Sequence, residues 1–421
     1  MISIHTCPLA TLGGKETGGM NVYVRDLSRE LGRRGIAMDV FTRWQNPNLP
    51  RVNHQLGTNC RVIHLPTGPV KPYDKNQVFH HLPEFVKEII AFAEKEALTY
   101  HVLHSHYWLS GWAGLALRER WSVPVIQMFH TLGHMKNSVA RRASDMETDL
   151  RLEVETEIMA RADRLVAATP LERAQMTWLY GADPANIRVI PCGVDLKQFK
   201  PIVPKEARDR LGLASDHQMI LFVGRIEPLK GIDTLLRAMA LLVRNDPNLQ
   251  EQACVAIIGG DPAGGSATAG KEMERLKRLR TDLGISDLVV FLGAQDQDAL
   301  NVYYSAAEIL IMPSHYESFG MVALEAMACG TPVIASKVGG LAFTVQDGVT
   351  GFHVPERNPE ALADKISLLL RDTSLRRRLG RQAVQSAQRY SWPSVANQIV
   401  ALYGEAISKT RPTCRLASSC S

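Results

Sequence analysis

Cysteine is sparse and unpatterned here. The seven in the 421 residues form no C-x-x-C pair, which excludes the common zinc and redox motifs. They are expected to be small buried hydrophobes in a reducing compartment, with Cys254 inside a strand. No run of about 18 apolar residues occurs, so no membrane-spanning helix is expected. The opening Met1-Ile-Ser-Ile-His-Thr reads as a short strand entering a turn. It lacks the charged and apolar regions of a signal peptide, which points to the cytoplasm. Charge of one sign is also scarce. The net +5 is spread along the chain, too weak for nucleic acid but suited to anionic, phosphorylated ligands. From Thr410 onward the chain (Arg-Pro-Thr-Cys-Arg-Leu-Ala-Ser-Ser-Cys-Ser) reads as a disordered tail with incidental cysteines.

What is present is the composition of a globular protein, 45% hydrophobic and 22% charged, in a chain long enough for two domains. Short apolar runs alternate with amphipathic stretches, the pattern of α/β domains with helix-covered parallel sheets. Strands are expected at Ile2–His5, Met38–Thr42, Arg61–His64, Val102–Ser105, Val125–Met128 and Leu165–Ala168, with helices over Gly19–Arg34 and Pro83–Glu96. Proline and glycine in Val-Ile-Pro-Cys-Gly-Val-Asp then break the rhythm near residue 195. It restarts with strands at Met219–Val223, Ala253–Gly259, Val289–Leu292, Ile309–Met312, Val333–Ala335 and Gly351–Val354. The expected organisation is two Rossmann-like, doubly wound domains, 1–195 and 196–390, facing each other across a cleft. A helix over 391–409 follows, able to cross back to the first domain, and then the tail 410–421. Ligands of such sheets bind outside the carboxyl ends of the strands.

Several segments at those strand ends carry chemistry. Glu317-Ser-Phe-Gly-Met-Val-Ala-Leu-Glu325 sets two glutamates eight residues apart around a helix start, with Glu325 expected two turns into the helix. Free amides there suit a diphosphate or sugar hydroxyl, and the carboxylates suit sugar and ribose hydroxyls. The same spacing also fits a solvated helix with an N-terminal carboxylate. Gly224-Arg225-Ile-Glu-Pro-Leu-Lys230-Gly231 puts two cations after a strand, where they can stabilise a departing diphosphate without a metal or read simply as surface charges. Gly13-Gly-Lys-Glu-Thr-Gly18-Gly19-Met20-Asn21-Val-Tyr23 is a glycine-rich turn into a helix. It fits a phosphate approach or a plain tight loop, and it is neither a G-x-G-x-x-G fingerprint nor a P-loop. His104-Ser-His106-Tyr107-Trp-Leu-Ser110-Gly111 and Phe129-His130-Thr131 bring histidines to strand ends. Structural roles are favoured over metal for these, with His130 singled out because it leads straight into the cleft.

Together these segments resemble glycosyltransferase family 4, retaining enzymes of GT-B architecture, from Ile2 to about Tyr403. Glu317 and Glu325 match its E-x7-E motif, and Gly224-Arg225 with Lys230 match its donor-diphosphate motif. Gly-Gly-Met-Asn-Val-Tyr, His-Ser-His-Tyr-Trp-Leu-Ser-Gly, His-Thr-Leu and Met-Lys-Asn-Ser are similar to the branch that glycosylates inositol 3-phosphate in mycothiol biosynthesis. The resemblance implies a nucleotide diphosphate sugar as donor, a UDP-sugar by preference, with no separate cofactor. Arg225 and Lys230 would hold its diphosphate, Glu325 its ribose and Glu317 a hydroxyl of the transferred sugar. The glycine-rich turn at Gly19 and the amides of Phe319, Gly320 and Met321 would contact sugar or phosphate, with His130 beside the sugar. It also implies an acceptor phosphate gripped by Lys75, Tyr107, Thr131 and Arg151, with Asn21 near the inositol.

The acceptor stays open at this point. Leu-Gly-Gly-Lys-Glu-Thr-Gly-Gly departs from the inositol-phosphate branch at Lys15-Glu16 and is similar to bacterial sucrose-phosphate-synthase-like proteins, whose acceptor is fructose 6-phosphate. A peripheral membrane enzyme making a glycolipid or polysaccharide is a further alternative. Basic Lys136–Arg142 fits it, while the acidic amphipathic stretch Pro83–Glu96 does not. A non-catalytic nucleotide-sugar sensor would be expected to lose Arg225, Lys230 or a motif glutamate, and all are present. A homodimer is compatible with all of these.

Overall fold

A computed structural model describes residues 1–10, 18–71, 73–140, 143–214, 217–260 and 267–410. The first five residues of the glycine-rich turn, Gly13–Thr17, and the tail beyond Thr410 lie outside the described residues.

The first half holds strands β1 (Met38–Arg43), β2 (Val52–Gly57), β3 (Cys60–Leu65), β4 (Leu103–His106), β5 (Val125–Met128), β6 (Arg164–Ala167) and β7 (Ile187–Val189). They form a group ordered β1-β3-β2 and a group ordered β4-β5-β6-β7. Ile2 joins the two groups by pairing in parallel with Phe41 on one side and Ser105 on the other. The strand expected over Ile2–His5 is therefore reduced to one bridging residue, Ile2. Ser3 N still donates to Phe41 O at 2.9 Å, but Ile4 N turns to the Ser110 hydroxyl at 3.1 Å. Ile4 O still accepts from Arg43 N at 3.1 Å, so only the amide side of Ile4 leaves the ladder.

The second half is one parallel six-stranded sheet, β8 (Gln218–Val223), β9 (Ala253–Ile258), β10 (Val289–Gly293), β11 (Ile309–Met312), β12 (Val333–Ser336) and β13 (Gly351–Val354). Its order is β10-β9-β8-β11-β12-β13. The chain starts in the middle, winds outward to one edge, then returns and winds to the other. The reversal lies between β8 and β11, and in the first half between Ile2 and β4. Such switch points open a crevice at the carboxyl ends of the strands. Strands β4, β5, β6, β11 and β12 are buried at every residue, as expected for sheets covered on both faces.

The chain crosses between the halves twice at one place. Val194, after β7, pairs with Ser391, and Val194 N donates to Tyr390 O at 2.8 Å. The last helix, Trp392–Thr410, then packs on the first helix of the chain, Gly19–Arg33. Tyr23 and Trp392 meet edge to face at 5.5 Å, a contact worth about 1 kcal/mol beyond the area it buries. Arg34 donates to Pro393 O at 2.7 Å, and Tyr403 bonds the His104 ring at 2.8 Å. One apolar cluster consequently runs from Tyr23 and Leu27 through Val395 and Ile399 to Phe319 and Leu324.

Candidate active site

The carboxyl ends of both sheets face one cavity of about 470 Å³ lined by residues of the two halves. The halves approach to van der Waals distance across it, since a Cβ on Gly19 would lie 3.3 Å from Met321 Sδ. Arg25 also reaches across, donating to Gln297 Oε1 at 2.7 Å.

The second-half wall is built on backbone turns. Gly224 and Arg225 follow β8, and Lys230 closes a short 3-10 turn, Pro228–Lys230. Gly231 begins the next helix with φ +64°, and a Cβ there would meet Pro313 O at 2.0 Å. Only glycine lets that turn sit against the loop following β11. Lys230 Nζ pairs with Glu317 Oε2 at 2.5 Å, and Arg225 with Glu227 at 2.9 Å. Gly320, at φ +91°, starts the helix Met321–Ala328. The helix begins later than the sequence suggested, so Glu325 is its fifth residue, little more than one turn in. The first-turn amides have no intrahelical acceptor and lie at the cavity edge beside Phe319 and Gly320. Glu325 is buried and accepts from Tyr304 OH at 2.8 Å. Burial pushes its carboxyl up to about 7 against that hydrogen bond.

The first-half wall is a charge cluster. Lys75 Nζ contacts Tyr107 OH at 3.2 Å, and Arg151 Nη1 donates to the same hydroxyl at 2.9 Å. Arg151 Nη2 donates to Thr131 O at 2.8 Å and to Thr131 Oγ1 at 3.2 Å, and Arg151 Nε pairs with Glu155 at 2.7 Å. Lys136 enters from the helix Gly133–Val139. Glu147 sits among all three cations. Its Oε1 is 2.7 Å from Lys75, 2.8 Å from Lys136 and 3.0 Å from Arg151.

Between the walls stands His130, at φ +62°, with Nε2 3.1 Å from His106 Nδ1. His106 in turn lies against His104, the rings tilted by 38° with centroids 4.3 Å apart. Burial lowers the His130 and His5 imidazoles to about 3, so both rings facing the cavity are neutral. Among the described residues no three His, Cys, Asp or Glu side chains are placed to hold a metal ion.

The cavity thus brings together Gly19, Asn21, Lys75, Tyr107, His130 and Thr131 from one half with Arg225, Lys230, Glu317, Phe319, Gly320, Met321 and Glu325 from the other. Arg151 does not line it. Fully buried behind Tyr107 and Thr131, it orients both. The Asn21 amide is occupied by the loop it closes, donating to Cys7 O at 2.7 Å and accepting from Gly18 N at 3.0 Å. Sequence reasoning missed His5, Lys136, Glu147 and Gln297. Only Lys136 carried a signal, as part of a basic stretch, and it points into the cavity.

Two family descriptions match the two halves of the chain in turn. "Glycosyltransferase Family 4" matches residues 17–198 and "Glycosyl transferases group 1" matches residues 204–386. A D-inositol 3-phosphate glycosyltransferase of Acidothermus cellulolyticus is 42% identical, covering 99% of this chain and 93% of the relative. The chain belongs to glycosyltransferase family 4. A D-inositol 3-phosphate glycosyltransferase of Frankia alni is also 42% identical, over 96% of this chain and 98% of its own. Among solved structures, a sucrose-phosphate synthase of Thermosynechococcus elongatus superposes with a TM-score of 0.88 at 38% identity, covering 97% and 98% of the two chains. The Anabaena protein HepE in complex with UDP-glucose has a TM-score of 0.74 at 20% identity over 96% of this chain and 99% of its own, a likeness of fold. The architecture is therefore GT-B, and this glycosyltransferase has, among its described residues, no helix long and apolar enough to cross a membrane.

Proposed function

We propose that the enzyme transfers a hexosyl group, of glucose or N-acetylglucosamine type, from a UDP-sugar to inositol 3-phosphate with retention of anomeric configuration. The observation that carries this reading is the division of one cavity between a wall of glycine turns, cations and glutamates and a wall of clustered cations able to take a phosphate. The names of its relatives supply the acceptor.

In this reading Arg225 and Lys230 hold the donor diphosphate and stabilise the charge that grows on it as the glycosidic bond breaks. Glu325 takes the ribose, Glu317 a hydroxyl of the sugar, and the amides of Phe319–Met321 the sugar or phosphate. His130, neutral through burial, lies beside the sugar as a hydrogen-bonding partner rather than a charge. Lys75, Tyr107 and Thr131 take the acceptor phosphate, with Arg151 holding the last two in place and Asn21 shaping the inositol end. The acceptor hydroxyl attacks the anomeric carbon from the face the diphosphate leaves. Its proton passes to the departing phosphate oxygen, so the new C–O bond and the broken one exchange on one side. No enzyme nucleophile takes part. A cytoplasmic setting belongs to the same proposal and is supported by the free thiols of Cys7, Cys60, Cys192, Cys254 and Cys329.

A second reading, transfer to fructose 6-phosphate, is supported by the sucrose-phosphate synthase superposition. Incubation with UDP-N-acetylglucosamine or UDP-glucose, and separately with inositol 3-phosphate or fructose 6-phosphate, distinguishes them through UDP release and product mass. Transfer to inositol phosphate with an α-linked product is expected. Transfer only to the fructose ester moves the enzyme to the second reading, and a β-linked product overturns retention.

A further inference from the structure

Glu147 occupies the point where the three cations of the first wall converge. Its Oε1 contacts Lys75, Lys136 and Arg151 within 3.0 Å, the geometry a phosphate oxygen needs. Its side chain is 7% exposed, whereas its neighbours Asp145, Met146, Thr148, Asp149 and Leu150 are all exposed. The segment therefore turns one carboxylate inward, against Lys75 and Lys136, which line the cavity. It is tethered there by Asn137, whose Oδ1 accepts from Glu147 N at 2.7 Å.

Charge decides what such a site can hold. Three cations face two carboxylates, Glu147 and Glu155, an excess of one positive charge. A phosphate ester brings close to two negative charges at neutral pH. Adding it to the cluster as it stands reverses the sign of a buried site, which is costly at low effective dielectric. Glu155 cannot yield. It is fully buried, accepts from Gly133 N at 2.9 Å and Tyr180 OH at 2.5 Å, and pairs with Arg151. Glu147 can, because the segment that carries it is otherwise exposed. Nor can protonation release it. Burial would raise its carboxyl, but Arg151, Lys75 and Lys136 hold it well below the usual carboxylate range.

We infer that Glu147 is a specificity-determining residue, a resident anion that neutralises Lys75, Lys136 and Arg151 in the empty site and is displaced by the acceptor's phosphate dianion. Lys136 is thereby a third phosphate ligand beside Lys75 and the Tyr107–Thr131 pair. The exchange sets a charge threshold. A dianion outcompetes the tethered carboxylate, while neutral acceptors and monoanions do not. The inference rests on the phosphorylated-acceptor reading above. The opposing arrangement is a permanent counter-ion that holds the lysines in place while phosphate binds alongside.

Titration calorimetry with inorganic phosphate on the full-length wild type, Glu147→Gln and Asn137→Ala separates these. Displacement predicts phosphate binding at least about tenfold tighter to Glu147→Gln, because the variant has no charged occupant to expel. Asn137→Ala, which keeps every charge and only loosens the tether, decides between the two arrangements: displacement predicts phosphate binding a few-fold tighter, and unchanged binding means a permanent counter-ion and overturns displacement. Chloride should compete with phosphate in Glu147→Gln and not in the wild type. Equal or weaker phosphate binding by Glu147→Gln, with the wild type binding, overturns the displacement role alone. Absence of phosphate binding in the wild type and in both variants overturns the phosphorylated-acceptor reading and this inference with it.

Discussion

The two walls of the cleft hold their charges in opposite ways. On the first, charge is packed into the protein. Arg151 is wholly buried, bonded to Tyr107, Thr131, Glu147 and Glu155, and the cluster is nearly neutral before any ligand arrives. On the second, Arg225 is 41% exposed, Lys230 and Glu317 form a single pair, and shape is set by glycine turns at 231 and 320. A buried network answers to charge and to one geometry. In the proposed function, a wall of backbone amides and more exposed cations would accept a diphosphate by size, and the choice of acceptor would fall to its neighbour.

Substitutions that strike one wall and spare the other sharpen this contrast. Arg151→Met should have the largest effect, because it strands buried Glu155 and leaves Glu147 short of a partner. A loss of about 3–5 kcal/mol in unfolding free energy is expected in denaturant titrations. Lys230→Ala should leave the denaturation midpoint nearly unchanged and instead lower kcat by roughly 10²- to 10³-fold in steady-state assays. Inorganic phosphate should still bind that variant as it binds the wild type. A variant at Lys230 that unfolds, or one at Arg151 that does not, breaks the comparison.

Glu325→Gln tests an ionisable group that the second wall buries. Its folded carboxyl sits at about 7, above the usual range, so the folded state holds the proton more tightly than the unfolded one. That stabilisation is complete below the unfolded value near 4.5 and is lost as pH rises through 7. The glutamine variant keeps the neutral state at every pH. It should therefore match the wild type in thermal scans at pH 4 and exceed it by about 2 kcal/mol at pH 8, while binding UDP more weakly. The smallest effect is expected for Tyr403→Phe. Losing the 2.8 Å bond to His104 should cost about 1 kcal/mol in denaturant titrations and touch neither wall directly.

Much of the fold was legible because parallel strands covered on both faces are near-continuous apolar runs. Val125–Met128 and Ile309–Met312 coincide with the observed strands. Strand β2, Val-Asn-His-Gln-Leu-Gly, was not legible. It is antiparallel, partly exposed and carries little apolar pattern. Strand β7 is three residues long and runs into Pro191. Ile2–His5 has the composition of a strand, yet Ile4 N gives its hydrogen bond to the Ser110 hydroxyl, 106 residues away, and only Ile4 O stays paired, with Arg43 N. The site divides along the same line. Arg225, Lys230, Glu317 and His130 follow strands directly and announce themselves by position. Lys136 and Glu147 meet only because Asn137 ties a helix to the segment before the next one, a contact no local pattern encodes.

The return of the last helix onto the first has a consequence for how the chain is made. Tyr23, Leu27 and His104 take part of their packing from Trp392, Val395, Ile399 and Tyr403. During synthesis the first half emerges from the ribosome well before those residues exist, at about 5–20 residues per second. Its apolar stripe must wait, unpaired, while the whole second half is translated. An interrupted chain thus carries an exposed mark of its own incompleteness, the kind of surface that chaperones and proteases read.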